Sequence, residues 1–143
     1  MTGPLPAALQ GLAIDHIGIA VRNLEEASLP YKLVGLPQVG ADEAIVSQGV
    51  RVRALAAGEG LIELLEPTSP DSPISTFLAK RGEGLHHIAL RVSDIETEVA
   101  RLLGAGARFT NTEPRTGRAG TRVVFLHPKW TGGVLLELVA HAD

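Results

Sequence analysis

Two histidines and two glutamates occupy matching positions in the two halves of this 143-residue chain. The histidines are His16 and His87, and each is followed by a glutamate in a later apolar run, Glu63 and Glu137 respectively. Two neutral imidazoles and two carboxylates form a nitrogen and oxygen ligand set, which suits Co²⁺, Mn²⁺, Ni²⁺, Zn²⁺ or Mg²⁺ better than a soft metal. The duplication therefore predicts a site for one divalent metal ion per chain, at the seam between two modules.

Both histidines lie in segments that alternate in period two, as β-strands do. His16 shares a strand face with Gly18 and Ala20, and His87 shares one with Ala89. These small neighbours leave space beside each imidazole, and a metal site needs that space.

The two glutamates are each flanked by apolar residues, as Glu63 is by Ile62 and Leu64. A carboxylate that is buried there without a partner is costly. The metal hypothesis supplies the partner, provided that all four side chains point into one concave space. The alternative is that both strands are amphipathic and that Glu63 and Glu137 face water.

Each half of the sequence predicts a β-α-β-β-β order of elements. Because a single half would leave a one-sided sheet with an exposed edge, we expect the two halves to pair. We predict an α+β fold of two tandem βαβββ modules in a single domain, with a flexible tail before them. The tail is 1–12, the modules are 13–82 and 83–143, and strands are expected near 14–21, 44–46, 49–56, 61–66, 85–92, 108–111, 122–126 and 134–140.

Capping signals precede three predicted helices, which end near residues 33, 81 and 103. The signals are Asn23 with Glu26, Ser72 with Pro73, and Ser93 with Glu96.

The composition excludes some classes of protein. The chain has no cysteine, which rules out a disulfide scaffold and thiolate metal sites, and its net charge of −3 comes without a basic stripe for nucleic acid. The first ten residues lack a positively charged leader, and no apolar run reaches the length that spans a bilayer. We expect a cytoplasmic protein without a nucleic-acid or membrane partner.

Six segments, in this order along the chain, resemble the methylmalonyl-CoA epimerases of the vicinal-oxygen-chelate superfamily, which has the glyoxalase and bleomycin-resistance fold. The resemblance runs from Ile14 to the end of the chain. It implies a curved, mixed sheet that forms a cup around a metal site, and a homodimer. The segments are 15–21, Gln48-Gly49-Val50, 62–67, 72–75 with Phe77-Leu78, Gly84-Leu85-His86-His87-Ile88-Ala89, and Phe125-Leu126-His127-Pro128-Lys129 with 133–138.

Position by position, the resemblance implies metal ligation by His16, Glu63, His87 and Glu137. Of the paired histidines, His87 matches the ligand. Because neighbours on a strand point to opposite faces, His86 is expected to point away.

The activity implied is the interconversion of (2R)- and (2S)-methylmalonyl-CoA, by removal of the α-proton through a metal-stabilised enolate. Glu137 is the first candidate base. Some relatives carry a second catalytic carboxylate just after Gln-Gly-Val, whereas residues 51–53 here read Arg-Val-Arg. The second proton carrier is therefore left open between Glu63, Glu43 and a water held by Gln48.

Coenzyme A carries phosphates, and four cations around a glycine-rich loop could bind them. They are Arg115, Arg118, Arg122 and Lys129; the alternative is that they are solvated loop charges. The rival functions are a lactoylglutathione lyase, another metalloenzyme of the superfamily, and a non-catalytic ligand-binding protein on the same scaffold.

Overall fold

One mixed sheet of eight strands curves into a cup around a cavity. The structure, a computed structural model, describes residues 12–142. The predicted tail lies outside these residues, apart from Leu12. The strands are β1 (Ala13–Ala20), β2 (Glu43–Ile45), β3 (Val50–Ala57), β4 (Gly60–Pro67), β5 (Gly84–Arg91), β6 (Arg115–Thr116), β7 (Arg122–Phe125) and β8 (Leu136–Ala140).

The strands follow the order β2-β3-β4-β1-β5-β8-β7-β6. In the first half β1 pairs in parallel with β4, and in the second β5 pairs in parallel with β8. The halves meet where β1 and β5 pair antiparallel. Each half therefore removes an exposed edge from the other. The predicted α+β fold, with a curved mixed sheet, is confirmed.

The described residues form three helices, and two of the three begin at the predicted caps. They are α1 (Leu24–Val34), α2 (Pro73–Arg81) and α3 (Ile95–Gly104). Of these, α2 contributes Pro73 and Ile74 to the cavity wall. The side chain of Asn23 accepts a hydrogen bond from the Glu26 amide, and that of Ser72 accepts one from Ile74. The predicted cap Ser93 is wrong by one residue, because Asp94 accepts from the Thr97 amide. No helix within residues 12–142 is both long and apolar enough to cross a bilayer.

The strand predicted near 108–111 is wrong. Phe109 makes only an isolated bridge to Leu126, and the edge strand β6 comes a few residues later. Asn111 explains the break, since its side-chain oxygen accepts a hydrogen bond from the Glu113 amide and turns the chain there. Pro114 follows without an amide donor for a strand ladder.

Arg53 ties α1 to the convex side of β3 through a buried polar network. Its side chain is 9% exposed. Its Nε and Nη2 atoms each lie 2.9 Å from an oxygen of Asp42, and its Nη1 donates to Ser28 Oγ at 2.8 Å. The network satisfies polar groups that the apolar side of the sheet would otherwise leave unpaired.

We expect Arg53→Met to destabilise the fold by about 3 kcal/mol, because it leaves the largely buried Asp42 carboxylate and Ser28 hydroxyl without their partner. Urea unfolding followed by circular dichroism measures the loss. Arg101→Met is the matched control, since Arg101 pairs with Glu98 on an exposed face of α3, and it should cost under about 1 kcal/mol. Equal losses in the two variants would contradict the buried network.

Candidate functional site

The concave face of the sheet encloses a cavity of about 470 Å³. Four neighbouring central strands, β4, β1, β5 and β8, each contribute one of the four predicted metal ligands to its wall. They are Glu63, His16, His87 and Glu137, and all four side chains are buried. The alternative that the two glutamates face water is therefore wrong.

His16, His87 and Glu137 form a compact cluster, in which one donor atom from each lies within 4.8 Å of the others. The two Nε2 atoms of the histidines are 3.1 Å apart. Glu137 completes the cluster with Oε2 at 3.3 Å from His16 Nε2 and Oε1 at 3.4 Å from His87 Nε2. The fold thus brings three of the four predicted ligands to a single point.

Gly18 creates the space in which the His87 ring lies. The two residues are partners across the β1–β5 seam. A Cβ atom at position 18 would lie 2.1 Å from His87 Cε1. The absence of a side chain at Gly18 therefore positions a ring on the other module.

Glu63 stands beside the cluster rather than in it. Its Oε2 lies 3.4 Å from His16 Nδ1, on the opposite edge of the ring from His87, and it accepts a hydrogen bond of 3.2 Å from Arg118 Nε. The predicted fourth ligand is thus adjacent, with its carboxylate paired to an arginine.

Two β-bulges bring further residues into the cavity, and the sequence analysis missed both. The register of β1 against β5 shifts at Asp15 and again at His86, so each is an extra residue in its strand. Asp15 Oδ2 lies 2.7 Å from His16 Nδ1, and His86 Nδ1 lies 2.9 Å from His87 Nδ1. The prediction that His86 points away from the cavity is wrong.

The repeat itself held the signal for these bulges. Asp15 precedes His16 as His86 precedes His87, so each cluster histidine has a polar residue directly before it. A carboxylate behind a ring nitrogen fixes the tautomer and orientation of a ligand imidazole. Asp15 also pairs with His141, and hydrogen bonds to the two histidines overcome the effect of burial and lower the pKa of Asp15 to about 2.

Burial and neighbouring charges set the ionisation of the cluster. Burial, together with the Glu63 and Asp15 carboxylates, raises the pKa of Glu137 to about 8. Burial also lowers the pKa of His87 far below its usual value, so its ring is neutral. For His16, burial is outweighed by the hydrogen bond to Asp15 and by nearby carboxylates, which raise its pKa.

One buried atom shows that a cation fits this cluster. Within the described residues, Glu137 Oε2 is a buried side-chain atom without a hydrogen-bond partner. A buried carboxylate oxygen that accepts no hydrogen bond, beside two facing ring nitrogens, is costly unless a positive charge satisfies it. The donor set of two imidazoles and a carboxylate suits a divalent metal.

The other predicted site residues are divided between the cavity and the surface. Gln48, Arg115 and Arg118 line the cavity, whereas Lys129 is exposed and lies outside its lining. Arg122 pairs with Glu96 on the outer surface instead of facing the cavity. Glu43 is also absent from the lining, because its carboxylate accepts a hydrogen bond from the Ala119 amide.

Several known proteins that are similar to this chain share one name, methylmalonyl-CoA epimerase. A protein of Cereibacter sphaeroides named ethylmalonyl-CoA/methylmalonyl-CoA epimerase is 41% identical over 87% of this chain and 95% of its own length. The human mitochondrial methylmalonyl-CoA epimerase is 40% identical over 87% of this chain and 72% of its own length. A solved methylmalonyl-CoA epimerase in complex with methylmalonyl-CoA and NH₄⁺ is 42% identical, with a TM-score of 0.85 over 91% of this chain and 94% of that one.

A family model covers most of the strands of the cup, but not β8. The model of the glyoxalase/bleomycin resistance protein/dioxygenase superfamily matches residues 15–125. This range contains His16, Glu63 and His87, and the relatives extend the similarity over most of the chain. The chain therefore belongs to the glyoxalase/bleomycin resistance protein/dioxygenase superfamily, on the evidence of both its sequence and its fold.

Proposed function

We propose that the chain is a metal-dependent epimerase that interconverts (2R)- and (2S)-methylmalonyl-CoA. The observation that carries the proposal is the buried cluster of His16, His87 and Glu137 at the wall of a cavity, with one carboxylate oxygen unpaired. The relatives named as epimerases of this substrate support the choice of reaction over that of a lactoylglutathione lyase.

His16, His87 and Glu137 would hold one divalent ion, and Glu63 is the predicted fourth ligand. When bound, such an ion supplies Lewis-acid stabilisation of the negative charge that develops on a carbonyl oxygen. Asp15 would keep His16 Nδ1 protonated, which leaves Nε2 free to ligate. The choice among Co²⁺, Mn²⁺, Ni²⁺, Zn²⁺ and Mg²⁺ stays open.

Glu137 is the proposed base. The carbon between the carboxylate and the thioester must lose its proton and regain it on the other face. Glu137 lines the cavity, so one of its carboxylate oxygens would face the ion while the other would accept that proton. The enolate would then be protonated either by the same group or by a second carrier.

The opposite wall of the cavity offers few second carriers. It is formed by β2, β3, β4 and α2 and is apolar, with Ile45, Val50, Val52, Leu65 and Ile74. Gln48 is a polar residue on this side, and its Nε2 donates to Thr116 O at 3.0 Å. Glu63 and a water held by Gln48 remain the candidates for the second proton carrier. Glu43 is disfavoured, because its carboxylate bonds to the Ala119 amide and does not line the cavity.

Coenzyme A phosphates would meet exposed cations outside the buried cluster. Arg115 lines the cavity and is exposed, and Lys129 is exposed on the turn after β7. We propose that both bind phosphate, as charged side chains with free donors do. A homodimer stays a prediction from the resemblance, and a cytoplasmic location stays a prediction from the composition.

Proton exchange tests the reaction. We expect the protein to exchange the α-proton of methylmalonyl-CoA for deuterium in D₂O, followed by NMR, and to lose the activity after chelation and regain it with Co²⁺. A mixture of methylglyoxal and glutathione, the substrate of a lactoylglutathione lyase, should be unchanged. A protein that binds no Co²⁺, or that exchanges no proton with Co²⁺ bound, would contradict the proposal.

A further inference from the structure

Arg118 lies beside the candidate metal ligands. The sequence had grouped it with cations that would bind phosphate, and such a cation is expected to be exposed. The Arg118 side chain is 18% exposed, lines the cavity, and places Nε 3.2 Å from Glu63 Oε2. Arg115, three residues earlier, is exposed. The two arginines that the sequence grouped together thus occupy different environments.

The fold holds Arg118 there through contacts between the two modules. Gln48 Nε2 in the first module donates to Thr116 O at 3.0 Å, and the Ala119 amide donates to Glu43 Oε1 at 2.9 Å. Ala119 adopts a left-handed backbone with φ of 56°, which is uncommon for a residue with a side chain. A backbone held in this conformation by bonds on both sides of Arg118 fixes the base of its side chain.

The guanidinium retains unused donors. An arginine has five N–H groups in a planar fork. Within residues 12–142, its hydrogen bond to Glu63 comes from Nε, and no protein acceptor bonds Nη1 or Nη2. A largely buried guanidinium with open donors inside a cavity suits a planar carboxylate, which it can bind through two parallel hydrogen bonds.

We propose that Arg118 binds the free carboxylate of the acyl group and makes the site selective for malonyl-type thioesters over thioesters that lack this carboxylate. The inference rests on the proposed function, since it assigns a residue to one end of that substrate. Exposed Arg115 would then bind the coenzyme A part, which all of these thioesters share.

Binding of two thioesters separates the two roles. Calorimetry on the Co²⁺-loaded protein would compare methylmalonyl-CoA with propionyl-CoA, which has no free carboxylate. We expect Arg118→Gln to weaken methylmalonyl-CoA about 10- to 100-fold, the worth of a charge-assisted pair, and propionyl-CoA by less than about 3-fold. Arg115→Gln, the matched control, should weaken both ligands by the same factor.

Equal losses for both ligands in Arg118→Gln, or no loss for either, would overturn the assignment while leaving the exchange reaction intact. Failure of the wild-type protein to bind or exchange methylmalonyl-CoA would instead refute the proposed function.

A second variant excludes a role confined to pairing with Glu63. If Arg118 only neutralises that carboxylate, its substitution should have no further effect once Glu63→Gln has removed the charge. We expect the 10- to 100-fold loss for methylmalonyl-CoA to persist when Arg118→Gln is added to Glu63→Gln. Disappearance of the loss in the double variant would make Arg118 a partner of Glu63 and nothing more.

Discussion

Glu137→Gln should abolish α-proton exchange while the fold survives. Glutamine has the shape of glutamate and an oxygen that can still face a cation, but it cannot accept a proton. Loss of a positioned general base lowers a rate by about 10²- to 10⁴-fold. Deuterium incorporation at saturating Co²⁺ measures the rate, and circular dichroism checks the fold.

Measurement at saturating Co²⁺ distinguishes a role of Glu137 as a base from a role as a metal ligand. If Glu137 served only to hold the ion, exchange would recover when excess Co²⁺ compensates for weaker binding. Glu59→Gln is the matched control, because Glu59 is exposed in the turn between β3 and β4. Exchange in Glu137→Gln within about 10-fold of wild type under saturating metal would reject Glu137 as the base.

Gly18→Ala should weaken Co²⁺ binding on the order of 100-fold, the upper range seen when the surroundings of a metal ligand are disturbed. The new Cβ would lie 2.1 Å from His87 Cε1 and 2.4 Å from His87 Nδ1, so the ring must move. It has little room, since it packs edge-on against Phe125 and His16. Titration of the metal-free protein with Co²⁺, followed by its visible absorption, gives the affinity.

Gly104→Ala is the control for the Gly18 substitution. Gly104 lies at the end of α3, and a Cβ atom there would meet no neighbour within 4 Å. This variant should bind Co²⁺ as wild type does. Unchanged Co²⁺ affinity in Gly18→Ala would show that the His87 ring can shift and still ligate, or that it does not ligate.

The repeated pattern was sufficient to predict two βαβββ modules that pair, whereas the curved cup was implied by the family resemblance. Period-two alternation around His16 and His87 located the two seam strands, and the matching glutamates located the strands beside them. In the second half of module two the period-two pattern is less regular and predicts the strands less well. The strand expected near 108–111 is absent. Local side-chain bonding at Asn111 decided that segment, and a periodic pattern does not show which polar residue will bond to the backbone.

The candidate ligands were predicted from residue type and spacing, but the arrangement around them was not. Alternation placed Asp15 and His86 on the faces opposite their neighbours, whereas two bulges bring both into the cavity. A bulge depends on the pairing of β1 with β5, which lie far apart in sequence. The alternation of a single strand therefore gives no indication of it.

Residue types and their spacing were enough to predict that this chain duplicates one module and supplies two histidines and two carboxylates to the seam. Only the tertiary structure decided that His16, His87 and Glu137 meet while Glu63 turns to Arg118. The physical reason is that the repeat shows in the alternation of polar and apolar residues that are close in sequence. The position of Arg118 instead depends on contacts between the modules, from β6 to Gln48 and from the loop after β6 to Glu43, which no local pattern encodes.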